Sequence, residues 1–394
     1  MYQLSPLEIA TGLVLGVDPR PEVVDARVSA AESPLRAFEK AMLPALRRSP
    51  CLVSFSGGRD SSAVLAVATA IARREGLPLP IPVTNVFPGA ATTDESEWQQ
   101  SVVSHLGLED WVRVEHDDDL DCVGPVATDV LRRHGLLFPF NAHFHVPLLR
   151  LAAGGSLLTG IGGDEVLSPT SWSRAADVLQ CRVRPEPRDI LRVGFALAPR
   201  VVRRAILRRR LPAATSSWLK PEAQRAFSDA WLTQSATEPL AWPAHVDWVR
   251  RLRYLRVGLG SLRLLASDYD AEISHPFLDS GFASALASLS RRERFSSRTT
   301  AMRTLFGGLL PKQILERSSK TGFDEAFWGT PSREFAARWD GEGVDGQLVD
   351  TDALAAEWAS PDPDPRSFLL AQALWLAQQR RSGNRVEQTV HSTR

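Results

Sequence analysis

Hydroxyl, glycine and acidic residues crowd into the stretch 56–62, where a short apolar segment meets a helix-forming run. The segment 51–55 is apolar enough for a buried strand, and two consecutive glycines after it let the chain turn and approach an anion closely. Free backbone N–H groups at a helix start, together with serine hydroxyls, suit a phosphate. Asp60 would repel that phosphate unless a cation lay between them. The stretch therefore predicts a nucleotide bound with a metal ion, most simply Mg²⁺.

A second glycine-rich turn follows the predicted strand 156–159. It reads Gly-Ile-Gly-Gly-Asp-Glu over 160–165 and repeats the order of strand, glycines and acid. Neighbouring parallel strands end at one edge of a sheet, so Asp164 could place a second carboxylate on the cation held by Asp60. Either turn alone could be structural, since serine and aspartate are also common in helix caps and turns.

The elements that must position these turns are strands alternating with helices. Apolar strands are predicted at 51–55, 81–86, 111–114 and 156–159, with helices at 34–48, 61–74, 95–106, 121–133 and 146–153. This alternation predicts an α/β fold with a parallel sheet and right-handed crossovers. After Trp172 the pattern is helical without clear strands. We therefore predict an N-terminal segment 1–33, an α/β core 34–168, a helical lobe 169–381 and a flexible tail 382–394.

Composition narrows the class of protein. Of the 394 residues 44% are hydrophobic, which predicts a globular protein. The 46 basic and 46 acidic side chains balance, which disfavours a protein whose main role is to coat nucleic acid. The three cysteines form no C-x-x-C pair, so a disulfide framework, a zinc site or a sulfur-relay enzyme is disfavoured. No secretory leader or spanning segment is recognised, and we expect a cytoplasmic enzyme that acts away from membranes.

Four motifs occur in a recognisable order: S-G-G-x-D-S at 56–61, G-x-G-G-D-E at 160–165, His-Pro-Phe-Leu-Asp at 275–279 and Lys-Thr-Gly-Phe at 320–323. Over residues 34–330 the chain resembles the synthetase domain of the asparagine synthetase family. That family belongs to the PP-loop ATP pyrophosphatases, whose fold is adenine nucleotide alpha-hydrolase-like, and includes β-lactam synthetases and lasso-peptide macrolactam cyclases. The resemblance implies that ATP adenylates a carboxylate, releasing pyrophosphate, and that an amine then displaces AMP.

The resemblance also implies roles for individual residues. Lys320 matches the lysine that faces the α-phosphate and the acyl intermediate, and Glu272 is retained from the family's E-x-R-x-P-F-L-D segment. We further consider His275 an acceptor-side base, because imidazole titrates near neutrality. Asp60 and Asp164 are the implied Mg²⁺ carboxylates. The residues predicted to hold ATP are Ser54, Ser56, Gly57, Gly58, Asp60, Ser61, Ser62, Val83, Thr159 and Gly160.

Several positions depart from the family pattern. Tyr2 stands where the family usually has a catalytic cysteine. Only some fifty residues precede the loop at Ser56, where the family usually has a complete glutaminase domain. Ile161 occupies a position that is commonly Glu or Tyr and cannot accept a proton, and Ser274 replaces an arginine. We therefore expect an acceptor pocket unlike that of asparagine synthetase.

These departures shape the expected substrates and partners. The acid is a small-molecule or peptide carboxylate, and the amine belongs to a substrate or arrives as ammonia from a separate protein. A lactam or macrolactam in natural-product biosynthesis is favoured, with a precursor peptide or a partner subunit as possible partners. Two alternatives stay open: another PP-loop enzyme such as a tRNA-modifying ligase, and a non-catalytic binding subunit.

Three further features have two interpretations each. Glu95 matches an acidic position after the family's second strand, yet it also fits a helix cap. His143 and His145 lie close to the predicted site, but two imidazoles without a third ligand are weak evidence for a metal. The basic run 201–210 could bind an acidic partner or form a solvated helix face.

Overall fold

One parallel sheet forms the centre of the protein, in a computed structural model that describes residues 3–19, 32–90, 94–209, 216–289, 295–317 and 322–392, with side chains up to 381. Within this part of the chain the sheet has five strands: β1 (Cys51–Ser54), β2 (Ile81–Val86), β3 (Val112–Glu115), β4 (Ser156–Leu158) and β5 (Glu272–Ser274). Their spatial order is β3-β2-β1-β4-β5, and every neighbouring pair is parallel. The central position of β1 places the end of that strand between two neighbours.

Helices surround the sheet and make up most of the remaining described chain. Up to the end of the strand alternation they are α1 (Pro6–Thr11), α2 (Pro34–Leu46), α3 (Arg59–Glu75), α4 (Ser96–Leu106), α5 (Pro125–His134), α6 (Val146–Leu151) and α7 (Gly163–Leu167). Beyond it they are α8 (Ser173–Leu179), α9 (Pro187–Leu197), α10 (Arg200–Arg208), α11 (Pro221–Thr237), α12 (Trp242–Arg250), α13 (Arg253–Ser267), α14 (Ser280–Ser288), α15 (Arg298–Phe306), α16 (Lys312–Glu316), α17 (Thr330–Arg338), α18 (Thr351–Trp358) and α19 (Phe368–Ser392). Short 3₁₀ turns lie at Ala142–His145, Pro276–Leu278, Asp324–Phe327 and Pro365–Ser367. None of the described helices is both long enough and apolar enough to cross a bilayer.

The predicted α/β alternation is confirmed, and one expectation after it is wrong. Strands β1, β2, β3 and β4 lie within a residue or two of the predicted segments. The chain after Trp172 was expected to contain no strand, yet β5 joins β4 at the sheet edge. At three residues, with Glu272 exposed and the other two half-buried, β5 is too short and too polar for a strand pattern to be visible. The predicted domain boundaries stay a prediction.

A cluster of aromatic rings ties the helices that follow the sheet to the first part of the chain. Phe38 on α2 lies 4.7 Å from Phe277, 4.9 Å from Phe282 and 5.4 Å from Phe306, measured between ring centroids. All four side chains are fully buried. Burying rings of this size stabilises the protein by about 2 kcal/mol each. This packing fixes the start of α14 and the end of α15 against α2.

Candidate functional site

The two glycine-rich turns lie side by side at the carboxyl edge of the sheet. Parallel pairing sets Val53 of β1 beside Leu158 of β4, so the chain leaves both strands at the same level. A side chain at Gly160 would lie 2.8 Å from the backbone nitrogen of Ser61, and one at Gly163 would lie 2.5 Å from the Asp60 carboxyl carbon. The turns can approach this closely because both positions are glycine.

Serine hydroxyls close the first turn on itself. The Ser61 Oγ accepts a hydrogen bond from the Ser56 N–H at 3.2 Å and donates to the Gly58 carbonyl at 3.2 Å. Gly57 has a φ of +79°, a conformation that favours glycine, and a side chain there would strike Gln99. The turn is therefore held in one shape at the N-terminus of α3, where backbone N–H groups favour an anion.

An arginine from α15 binds both predicted metal carboxylates. One Nη atom of Arg298 lies 2.6 Å from the Asp60 Oδ2, and the other contacts the Asp164 Oδ1. The side chains of Arg298 and Asp60 are 18% and 15% exposed, so this contact is shielded from solvent. Burial raises the pKa of Asp60 to about 6, and the Arg298 guanidinium opposes that rise. A cation beside Asp60 thus favours the ionised form of this carboxyl near neutrality.

The same carboxylates are chemically suited to Mg²⁺. Their oxygens are hard ligands, and the Asp60 Oδ1 is buried without a hydrogen-bond partner among the described residues. No group of three or more His, Cys, Asp or Glu side chains in the described chain could hold a metal. Two carboxylates are sufficient, because Mg²⁺ commonly takes one or two from the protein and its other ligands from phosphates and water. Asp60 and Asp164 would hold the ion.

A buried ion pair supports the first turn from the other side. Arg317 forms two hydrogen bonds with the Glu95 carboxylate, and both side chains are 5% exposed. The same guanidinium donates to the Gly57 carbonyl at 3.3 Å and lies 4.8 Å from the centre of the Trp98 ring. Gln99 donates to the Ser56 carbonyl at 3.2 Å. Glu95 therefore positions the turn through Arg317 as well as starting α4.

A cavity of about 430 Å³ opens between the two turns and an apolar wall. Its polar lining includes both metal carboxylates, Arg298 and Arg317. Its apolar lining comprises Phe144, Phe323, Phe327 and, on the second turn itself, Ile161. The predicted ATP-binding residues that line it are Ser54, Ser56, Gly58, Asp60, Ser61, Thr159 and Gly160. A cavity of this size, lined by charged and polar groups as well as aromatic rings, suits a polar small molecule such as a nucleotide together with a second, partly apolar ligand.

Other predicted site residues lie outside this cavity lining. Val83 is completely buried in β2, where its carbonyl accepts from the Phe55 N–H, and Ser62 is buried inside α3. Glu272 is exposed at the start of β5, at the opposite end of that strand from the turns. Lys320 lies outside the described residues, so its predicted role stays a prediction.

The expectation that His275 titrates near neutrality is wrong. Its Nδ1 is hydrogen-bonded to the Thr159 Oγ1 at 2.7 Å, and its Nε2 is shielded from solvent without a partner among the described residues. Burial lowers the pKa of His275 to about 3, and burial lowers that of His145, on the cavity wall, to about 4. Both imidazoles are therefore neutral at physiological pH, and His275 serves to hold Thr159. His143 is buried, with one ring nitrogen 2.9 Å from the Leu120 carbonyl.

The buried, neutral His275 and His145 should make the protein less stable in acid. Below about pH 6.5 the unfolded chain takes up protons on both imidazoles while the folded chain does not, so stability falls as the pH drops toward 4. We expect a loss of about 1–2 kcal/mol per histidine between pH 7.5 and pH 5, measured by urea unfolding. His275→Gln should remove the share of this loss that His275 contributes. Equal pH dependence in wild type and His275→Gln would contradict the assignment.

No local sequence pattern points to several of the residues around the cavity. Arg298 and Arg317 come from segments far along the chain, and nothing local distinguishes them from other arginines. Glu165 lines the cavity and accepts a hydrogen bond from the Tyr254 hydroxyl at 3.0 Å. Glu165 lies within a predicted motif, so its proximity to Asp164 could have identified it, but Tyr254 lies 89 residues further on.

The basic run at 201–210 lies on α10 as far as it is described. Arg203 packs over the Trp172 ring at 5.4 Å and donates to the Glu238 carbonyl at 2.9 Å. Arg204 pairs with Asp229 at 3.1 Å, while Arg208 is exposed. Part of this run therefore holds α10 against its neighbours, and the rest is solvated.

The parallel sheet, the paired glycine-rich turns and the carboxylate pair at their tips define a PP-loop type of nucleotide site. Over residues 36–379 the chain matches the model of the asparagine synthase family. The protein therefore belongs to the asparagine synthase family, whose members use ATP to form amide bonds. A search of curated proteins finds no significant match to this chain.

Proposed function

We propose that this protein activates a carboxylate as its acyl-adenylate and passes the acyl group to an amine. The observation that carries the proposal is that Asp60 and Asp164 both contact one cation, the Arg298 guanidinium. This pair lies beside a turn suited to phosphate and lines a cavity that also has apolar walls. A carboxylate oxygen attacks the α-phosphorus of ATP and pyrophosphate leaves. The amine nitrogen then attacks the acyl carbon, loses a proton and expels AMP.

The nucleotide half of this reaction is supported by groups on the polar side of the cavity. The turn at Ser56 offers backbone N–H groups at the start of α3 for the departing pyrophosphate. Arg298 and Arg317 add two positive charges, which stabilise negative charge that develops on the phosphates. Mg²⁺, when bound, would neutralise phosphate charge between Asp60 and Asp164. Lys320, by its motif, would face the α-phosphate.

The acceptor half of the cavity favours a substrate with apolar groups. Phe144, Phe323 and Phe327 form this wall together with Ile161, and Phe144 lies 6.0 Å from Phe323 between ring centroids. A wall of this kind stabilises apolar atoms and supplies few partners for the small, charged side chain of aspartate. We therefore propose an apolar small-molecule or peptide acid, joined to an amine of a substrate as a lactam or macrolactam, or to ammonia from a partner protein.

Glu165 is the proposed proton acceptor for the amine. It lies on the cavity wall next to Asp164, is oriented by the Tyr254 hydroxyl, and carries the carboxylate that Ile161 lacks. We expect Glu165→Gln to slow amide formation by about 10²-fold while ATP–pyrophosphate exchange is retained, because exchange does not require the amine. Tyr254→Phe should slow amide formation less than Glu165→Gln does, again with exchange retained. Equal losses of exchange and amide formation in Glu165→Gln would contradict this role.

The proposed function is tested by ATP–pyrophosphate exchange with a panel of carboxylic acids and peptides. An adenylating enzyme incorporates labelled pyrophosphate into ATP only when its acid is present. We expect stimulation by apolar acids or acid-bearing peptides and little by aspartate. The proposal fails if no acid stimulates exchange and ATP with Mg²⁺ does not raise the thermal unfolding temperature, since a bound ligand must stabilise the folded state. Exchange that depends on tRNA would instead favour a tRNA-modifying ligase.

A further inference from the structure

The cation that joins Asp60 and Asp164 in the folded chain is a protein side chain. We propose that Arg298 is the resident counter-ion of this carboxylate pair, and that a divalent metal ion replaces it only together with a nucleotide. The inference deepens the proposed function and rests on its metal and nucleotide half. It assigns to Arg298 the task of making metal binding conditional on nucleotide.

Arg298 and a metal ion compete for the same oxygens. The guanidinium occupies the Asp60 Oδ2 with one Nη atom and the Asp164 Oδ1 with the other, which spans the gap between the two carboxylates. Two cations a few ångströms apart repel each other, and Arg298 and Asp60 are largely shielded from the water that would screen this repulsion. A metal ion that binds both carboxylates must therefore expel the guanidinium.

The side chain of Arg298 can leave because its helix is held by other contacts. Ser297 caps α15 by accepting from the Thr300 N–H at 3.1 Å, and the Arg59 guanidinium donates to the Thr299 hydroxyl at 3.1 Å. The Arg298 Nε has no hydrogen-bond partner among the described residues. Among the described residues its head group is held by its contacts with the two carboxylates, so it can rotate away while the start of α15 stays in place.

An expelled guanidinium needs a new anion, because an unpaired buried charge is costly. Metal alone would leave Arg298 without one, and nucleotide alone would bring phosphates against Asp60 and Asp164. When both arrive, the phosphates supply the anion for Arg298 while the metal satisfies the carboxylates. Metal and nucleotide should therefore each strengthen the binding of the other, as reciprocal linkage requires.

The test uses Mn²⁺ as the metal and an ATP analogue with a methylene bridge between the α- and β-phosphates. Bound Mn²⁺ is counted by electron paramagnetic resonance at pH 8, with and without the analogue. For Arg298→Met we expect Mn²⁺ alone to bind about tenfold or more tightly than in wild type, since a charge-assisted contact no longer competes. The analogue, titrated with Mn²⁺ present, should bind about tenfold more weakly. A purely structural role would weaken both.

The matched control is Arg303→Met, on the same helix, where the arginine is 58% exposed and pairs with Glu316. It should leave both affinities unchanged. If Arg298→Met does not fold, as judged by circular dichroism, Arg298→Lys decides, because one ammonium group competes less well for two carboxylates and should still raise Mn²⁺ affinity. Unchanged or weaker Mn²⁺ binding in the folded variant would overturn the proposal that the metal ion replaces Arg298. If wild type itself fails to bind the analogue with Mn²⁺, the proposed function falls instead.

Discussion

Replacing Arg317 with methionine should lower the free energy of unfolding by about 3–5 kcal/mol, because removing one member of a buried ion pair leaves the other charge in a poorly hydrated site. Arg317 holds Glu95 by two hydrogen bonds where both side chains are 5% exposed. It also donates to the Gly57 carbonyl and packs over Trp98, so the first glycine-rich turn loses a support in the same step. Nucleotide affinity should therefore fall together with stability.

Urea unfolding of matched variants measures this effect. Arg338→Met removes an exposed pair, in which Arg338 and Glu334 are 71% and 60% exposed, and should cost less than about 0.5 kcal/mol. The double variant Arg317→Met with Glu95→Leu should recover part of the loss, since neither charge is then left behind. If Arg317→Met costs no more than Arg338→Met, the pair does not support the turn.

Residues close together in sequence made the first half of the site predictable. Each glycine-rich turn joins its strand, its glycines and its acid within a few residues, so Asp60 and Asp164 could be placed at strand ends from local pattern alone. Parallel pairing then brings the ends together without further information. The same reasoning predicted the core strands, because continuous apolar runs between helices are typical of buried parallel strands.

Residues that act from a distance could not be predicted. Arg298 meets Asp60 across 238 residues, and Arg317 meets Glu95 across 222, so only the tertiary fold distinguishes them from solvated arginines. For Glu95 the local pattern left a helix cap and a ligand role equally open, and the buried partner Arg317 gives it a further role. His275 illustrates another limit, since its motif position was visible but its burial, which sets the pKa, was not.

We expect Asp60→Asn to lower the rate of ATP–pyrophosphate exchange by about 10²–10³-fold, the usual cost of losing one preorganised electrostatic contact at a reaction centre. Asparagine keeps the size of the side chain, which matters because the carboxyl carbon lies 2.5 Å from where a side chain at Gly163 would begin. The substitution removes the negative charge and replaces one acceptor oxygen with an N–H donor, at nearly constant size. Asp164→Asn should cost less, because Asp164 is 41% exposed and water can replace part of its contribution.

Two further variants separate charge from position at Asp60. Asp60→Glu keeps the charge but adds a methylene where Gly163 and Arg298 leave little room, so a similar loss would show that position matters as much as charge. Asp268→Asn removes a carboxylate that pairs with Arg133 and His134 on another part of the surface, and should leave exchange unchanged. If Asp60→Asn keeps more than about a tenth of the wild-type exchange rate, the Asp60 carboxylate does not contribute to adenylation. In that case Lys320→Ala, measured in parallel, would show whether the motif lysine alone sustains adenylation.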